Sequence, residues 1–90
     1  MWTLEYSTQF KKDLKRIKHQ AAIIQVLKDV LNYLAKYGTV DRSLKPHMLS
    51  GEYFGCMECH VQNDFLLIWI DKDTQTIKLV RTGTHAELFK

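Results

Sequence analysis

The end of the chain combines residue types that suit chemistry on a phosphodiester. Arg81 and His85 flank a short Thr-Gly-Thr turn, and the aromatic ring of Phe89 follows four residues later. An arginine offers a fork of donors that matches phosphate oxygens, and a histidine can transfer a proton near neutral pH. The types and spacing of these residues therefore predict a site that binds and acts on a phosphodiester.

Two further histidines and a carboxylate lie upstream of this ending. His47 is inside a segment that contains the single proline, His60 is near the end of a strand-like segment, and Asp64 follows in the next turn. A histidine on a strand is more often a hydrogen-bonded edge residue than a catalyst, and an aspartate after an asparagine is often a turn former. Together with the ending, however, these residues resemble an active site.

The segment up to Gly38 predicts a strand followed by two amphipathic helices. Residues 2–6 alternate between apolar and polar side chains, and Ser7 is placed to cap the helix that follows. Apolar residues then recur at helical spacing until Gly38, which is expected to end the second helix. They are Phe10, Leu14 and Ile17, then Ile23, Ile24, Leu27, Val30, Leu31 and Leu34. The two helices should form a hairpin with one apolar side.

The remainder of the chain changes to a period of two after Gly51. Residues 39–50, which include Pro46, are predicted to form a long loop. Three strands separated by turns are predicted, over residues 53–61, 65–70 and 76–82. The spacing of Thr84 and Glu87 is that of a capping box, which predicts a short final helix. The order β-α-α-β-β-β-α predicts an α+β fold in which a helical hairpin covers one side of a twisted, mainly antiparallel sheet.

The position of Arg81 conflicts with the strand that contains it. Strict alternation places its guanidinium on the same face as Ile77 and Leu79, which are expected to be buried. An unpaired charge is not stable in an apolar core. Either the strand ends before Arg81 or a β-bulge turns the side chain away, and bulges are frequent beside active sites.

Length and composition indicate one folded domain that spans residues 1–90. A chain of ninety residues supports a single hydrophobic core, and a hydrophobic fraction of 46% with 26% charged residues argues against disorder. No apolar run approaches the roughly 20 residues that span a bilayer, so no membrane association is expected. The first residues lack the features of a signal peptide, so a cytoplasmic location with reduced cysteines is expected.

Positive charge is concentrated in the first half of the chain. Residues 1–45 contain nine Lys or Arg against four Asp or Glu, a net +5, whereas residues 46–90 contain four against six, a net −2. Five of the nine form what we call the basic face of the first helix: Lys11, Lys12, Lys15, Arg16 and Lys18. Such a charge run usually makes a helix soluble and does nothing more. The other interpretation is a surface that follows the phosphates of RNA.

One motif, Cys56-x-x-Cys59-His60, matches the C-x-x-C-H pattern of haem attachment. That chemistry belongs to exported proteins, and this sequence has no export signal. A zinc ion held by the two cysteines and a histidine is a further alternative, but on one strand Cys56 and Cys59 point to opposite faces. We therefore expect no metal and no other cofactor, and a small zinc-binding interaction protein remains an alternative.

Four segments of the chain resemble the YafQ-type toxins of the RelE superfamily. They are Leu49-Ser50-Gly51, Glu58-Cys59-His60-Val61, Asp64-Phe65-Leu66-Leu67-Ile68 and the ending from Arg81 to Phe89. The resemblance implies the RelE-like fold and a ribonuclease that cuts messenger RNA on the translating ribosome. It also implies a co-expressed antitoxin that holds the toxin inactive. The catalytic residues that it implies are His47, His60, Asp64, Arg81, His85 and Phe89.

The chain departs from that family between the glycine turn and His60. It carries Tyr53, Phe54 and Met57 where relatives usually carry a tryptophan and basic residues. Fewer cations then flank the phosphate. A catalytically weak module of the same fold, which binds RNA or the ribosome through the basic face, is therefore the alternative function.

The residues that the resemblance assigns can cleave RNA without a metal ion. RNA supplies its own nucleophile, the 2′-hydroxyl, so an enzyme has to deprotonate it, stabilise the charge on phosphorus and protonate the leaving 5′-oxygen. We assign Arg81 to charge stabilisation and His85 as the general acid, because the neighbouring cation favours release of its proton. The candidate bases are His47, His60 and Asp64, and Phe89 either stacks on a base or packs under the site.

Overall fold

The computed structural model describes residues 1–89, which form one five-stranded sheet and three α-helices. The strands are β1 (Thr3–Tyr6), β2 (His47–Met48), β3 (Met57–Gln62), β4 (Phe65–Asp71) and β5 (Thr76–Thr84). The helices are α1 (Thr8–Arg16), α2 (Ala21–Tyr37) and α3 (His85–Leu88). Across the sheet the order is β1, β5, β4, β3, β2, with β1 parallel to β5 and the other neighbours antiparallel. The predicted α+β fold with a mainly antiparallel sheet is confirmed.

Local signals place the two long helices as predicted. The Ser7 side chain accepts a hydrogen bond from the Phe10 N–H at 3.0 Å and so caps α1. Gly38 follows α2 with a left-handed φ of 74°, and its N–H donates to the Leu34 carbonyl. None of the helices among residues 1–89 is both long and apolar enough to cross a membrane.

The segment predicted to be a long loop contains a strand instead. Residues 42–44 form a 3-10 turn, and β2 then pairs with β3, with His47 opposite Glu58. A strand of two residues is too short to show alternation in the sequence, because its position depends on pairing with a distant strand. His47 is therefore held at a sheet edge. β3 begins later than predicted, at Met57, since a second 3-10 turn occupies residues 51–53.

The sheet separates two apolar layers. Buried members of the first layer, under α1 and α2, include Phe10, Ile17, Leu27, Leu34, Cys59, Leu67, Trp69, Ile77 and Leu79. Buried members of the second layer, on the face that α3 covers, are Cys56, Leu66, Ile68 and Leu88. Cys56 and Cys59 therefore lie on opposite faces, as predicted, and both are free thiols. Burial, assisted by the charge of Glu58, raises the pKa of Cys59 to about 12, so this thiol is unreactive.

A β-bulge in β5 resolves the conflict at Arg81. Trp69 of β4 pairs with Leu79, but the next pair is Ile68 with Arg81, so Val80 is an extra residue in β5. The extra residue reverses the alternation that would otherwise place Arg81 among the buried side chains of the first layer. Of the two alternatives that the sequence allowed, the bulge is confirmed.

Candidate active site

Helix α1 covers the outer edge of β5 near Arg81. Within residues 1–89, β1 pairs with β5 as far as Leu79, and no strand lies on this edge beyond it. Two side chains of α1 bind the backbone there instead. Asp13 accepts from the Thr82 N–H at 3.1 Å, and Arg16 donates to the Thr82 carbonyl at 3.0 Å. These bonds pair backbone groups that a sheet edge would leave open, and they fix α1 against the end of β5.

The guanidinium of Arg81 is held by two residues. Its Nε donates to Asp13 Oδ2 at 2.8 Å and its Nη2 to Asp13 Oδ1 at 3.2 Å, while Nη1 donates to the Tyr53 hydroxyl at 3.2 Å. The hydrogen bond with the Asp13 carboxylate raises the pKa of Arg81 above its ordinary value, so the group stays charged. An arginine has five N–H donors, so one N–H on each terminal nitrogen is left to bind a phosphate.

Asp13 is a residue of the candidate site that the sequence analysis missed. Its side chain is completely buried, although it lies within the run of basic residues in α1. Burial raises its pKa, but the hydrogen bonds from Arg81, Arg16 and the Thr82 N–H outweigh this effect and keep the pKa below its ordinary value. A signal was present in the sequence, because Asp13 follows Phe10 by three residues and therefore shares the buried face of the helix.

We expect the stabilisation that Asp13 provides to be lost in acid. A carboxyl whose pKa is lower in the folded state stabilises the fold above its unfolded pKa of about 3.9, and this contribution falls as the pH drops through the folded pKa. The difference in unfolding free energy between wild type and Asp13→Asn should therefore shrink below about pH 4. Urea unfolding at a series of pH values measures it, with the exposed Asp29→Asn as control. A difference that does not change with pH would contradict the expectation.

Helix α3 presents His85 and is tied to α1. The predicted capping box is present, since the Thr84 side chain accepts from the Glu87 N–H at 3.3 Å and the Glu87 carboxylate accepts from the Thr84 N–H at 2.8 Å. The same carboxylate pairs with Arg16, with Nε and Oε2 2.9 Å apart. Gly83 permits this close approach, because a Cβ there would lie 2.5 Å from Arg16 Nη2. The orientation of His85 thus depends on α1.

Aromatic rings connect His85 to Arg81. The exposed His85 ring lies 4.9 Å from the Phe89 ring, and Phe89 meets the edge of Tyr53 at 5.6 Å, both measured between centroids. The Tyr53 hydroxyl accepts the hydrogen bond from Arg81. Phe89 therefore packs against the site residues, and Tyr53 joins the site although the sequence analysis treated it as a departure from the family.

On the opposite edge of the sheet, His47 forms a pair with Glu58. His47 Nε2 lies 3.0 Å from Glu58 Oε1, and His47 Nδ1 lies 2.9 Å from the Lys45 carbonyl. Both ring nitrogens of His47 therefore lie within hydrogen-bond distance of an oxygen, which fixes the orientation of the ring. Glu58 is 5% exposed, and within residues 1–89 its buried Oε2 has no hydrogen-bond partner. The sequence analysis gave Glu58 no role of its own.

His60 belongs to this second group. The His60 ring lies 6.4 Å from the His47 ring, and its Nδ1 is 3.2 Å from the Asn63 carbonyl. Asp64 is exposed in the turn between β3 and β4. His60 pairs across β4 with Leu66, which pairs in turn with Gly83 of β5. Two strand spacings, about 10 Å, therefore separate the backbone of His60 from that of the Arg81 strand, and His47 on β2 lies one strand further away.

The basic face divides into two parts. Its four lysines, Lys11, Lys12, Lys15 and Lys18, are exposed as predicted. Arg16 differs from them, because its side chain, although 36% exposed, also binds Asp13 at 2.8 Å, Glu87 and the Thr82 carbonyl. In the described part of the chain, no group of three His, Cys, Asp or Glu side chains is placed to hold a metal ion.

Comparisons with known proteins extend over the whole chain. The model of a family described as the bacterial toxin of type II toxin–antitoxin systems, YafQ, matches residues 2–90. The chain is 33% identical over 87 residues to the mRNA interferase toxin YafQ of Escherichia coli K12, covering 96% of this chain and 94% of the relative. The fold superposes on the toxin of the E. coli DinJ–YafQ complex with a TM-score of 0.86 at 32% identity, covering 100% of both chains. A metal-bound toxin from Helicobacter pylori gives 0.84 at 37% identity, covering 99% and 100%.

Proposed function

Because the chain belongs to the YafQ family of bacterial toxins of type II toxin–antitoxin systems, we propose that it is a metal-independent endoribonuclease. It cuts messenger RNA on the translating ribosome and so inhibits translation. The observation that carries this proposal is the geometry of Arg81, which Asp13 and Tyr53 hold with two N–H donors left for a phosphate. The rings of Tyr53 and Phe89 connect it to His85. That its relative is an mRNA interferase toxin supports messenger RNA as the substrate.

In the proposed reaction, a base takes the proton of the 2′-hydroxyl, and the 2′-oxygen attacks the adjacent phosphorus. Arg81 stabilises the charge on the phosphoryl oxygens, and His85 gives its proton to the 5′-oxygen as the P–O bond breaks. The products are a 2′,3′-cyclic phosphate and a 5′-hydroxyl. Cleavage of a defined RNA by the purified protein tests the proposal, and it should continue in EDTA. Loss of cleavage on chelation would contradict metal independence.

Hydrogen bonding supports His60 as the base among the three candidates. Its Nδ1 donates to the Asn63 carbonyl, so the neutral ring carries its lone pair on Nε2, which can accept the proton. Both ring nitrogens of His47 are already engaged, Nδ1 by the Lys45 carbonyl and Nε2 by Glu58, so neither is free to accept the proton. His60→Gln should therefore lose more cleavage rate than His47→Gln. The opposite order would move the base to His47.

The lysines of the basic face are proposed to follow the phosphates of the RNA. Replacing Lys11, Lys12, Lys15 and Lys18 together with Gln should weaken binding and reduce the slope of log K against log salt by about 0.7 for each lost contact with a single strand. The matched control replaces the exposed Lys28 and Lys36 of α2. RNA binding measured at several salt concentrations tests this proposal. An unchanged slope would mean that these lysines form only a solvated surface. RNA binding without cleavage by the wild type would favour the alternative binding module.

We also propose a cognate antitoxin as the partner, as in the E. coli DinJ–YafQ complex. The net charge of +5 over residues 1–45 suits an acidic segment, which would cover the exposed lysines and Arg81. Expression of the toxin alone should stop bacterial growth, and co-expression of a small acidic protein encoded next to it should restore growth. Normal growth at high soluble expression would count against toxicity.

A further inference from the structure

Asp13 joins the lysine-rich helix to the catalytic arginine. Its carboxylate accepts from Arg81, Arg16 and the Thr82 N–H, with donor distances between 2.8 and 3.2 Å. A completely buried carboxylate is costly unless such donors surround it. If this position in α1 served only to pack the helix against the sheet, an apolar side chain would do so at a lower cost in free energy.

The geometry of the contact sets which donors of Arg81 stay available. Asp13 occupies the edge formed by Nε and Nη2, and the bidentate contact fixes the plane of the guanidinium. A free arginine side chain would sample several rotamers and present its donors in a different direction in each. The N–H groups left on Nη1 and Nη2 therefore keep a single orientation.

We propose that Asp13 is a positioning residue for RNA cleavage, acting through Arg81, an inference that rests on the proposed function. The carboxylate orients the guanidinium before RNA arrives, so that no reorganisation is needed as charge develops on the phosphoryl oxygens. Arg16 extends the arrangement to α3 through Glu87, which caps the helix that carries His85.

The test compares Asp13→Asn with Asp29→Asn, which changes an exposed carboxylate of α2. Asp13→Asn keeps the shape of the side chain and loses the charge. It should lower kcat by about 10- to 100-fold with little change in KM, because the lost interaction strengthens in the transition state. Asp29→Asn should retain the wild-type rate.

A double-mutant cycle separates positioning from a structural role. If Asp13 acts through Arg81, adding Asp13→Asn to Arg81→Ala should lower kcat no further. Equal losses in both backgrounds, or full activity of Asp13→Asn, would overturn the proposal. Thermal unfolding of each variant identifies a temperature at which all four proteins are folded, and kcat is compared at that temperature.

A measurement on the wild type covers the case in which Asp13→Asn does not fold. The Nε–H of Arg81 should exchange with solvent much more slowly in NMR spectra than that of the exposed Arg42, because Asp13 accepts from it. Equal exchange would overturn the proposal. Absence of RNA cleavage by the wild type would remove the proposed function together with this role, whereas cleavage with fast Arg81 exchange would remove the role of Asp13 alone.

Discussion

His85→Ala is expected to lower the rate of RNA cleavage by a factor of about 10² or more, because the leaving 5′-oxygen would lose its proton donor. Folding should change little, since His85 is exposed on α3 and packs on one side against Phe89. Single-turnover cleavage of a defined RNA, with the ends of the products identified, measures the effect.

His19→Ala provides the matched control for this prediction. His19 is also exposed, but it lies in the turn between α1 and α2 and is not one of the catalytic candidates. It should cleave at the wild-type rate. If His85→Ala also cleaves at the wild-type rate, His85 is not the general acid. If both variants lose rate equally, the cause is a general effect on folding.

Arg81→Ala is expected to affect both catalysis and stability. Removing a donor aimed at the developing charge typically costs a factor of about 10² to 10³ in rate. Stability should also fall, because the side chain is 18% exposed and donates twice to the completely buried Asp13.

The expected loss of unfolding free energy is about 3 kcal/mol, at the lower end of the range for breaking a buried ion pair. Asp13 keeps three partners, Gln9, Arg16 and the Thr82 N–H, which limits the loss. Urea unfolding of Arg81→Ala and of the exposed Arg42→Ala gives the comparison. If both variants unfold like the wild type while Arg81→Ala loses activity, the ion pair contributes nothing to folding.

Arg81→Lys separates the two effects. Lysine retains the positive charge but has one nitrogen, so it cannot occupy both Asp13 oxygens and a phosphate in the same geometry. We expect it to recover part of the stability and little of the rate. Full recovery of the rate would mean that charge alone, without orientation, is what the reaction needs.

The sequence by itself determined where the helices begin after Ser7 and Thr84 and where α2 ends, but not the short strand β2. The caps at Ser7 and Thr84 and the glycine after α2 are local signals, and each acts within a few residues of the helix end that it sets. The alternation of residues in β5 also showed that Arg81 would fall on the buried face of the strand. A β-bulge was one of the two arrangements that would avoid this. These features depend on neighbours along the chain, so a single sequence can reveal them.

The tertiary structure alone decided which charged residues pair with one another and which face water. Asp13 and Arg81 are separated by 68 positions in the sequence, and the contact exists because the edge of β5 beyond β1 is covered by α1. The same packing lets Arg16, unlike the lysines of α1, bind the Thr82 carbonyl. The pairing of β2 with β3 places His47 against Glu58. A charge pattern cannot distinguish a lysine facing water from an arginine bound to a buried carboxylate, because that difference depends on which distant backbone groups need a partner.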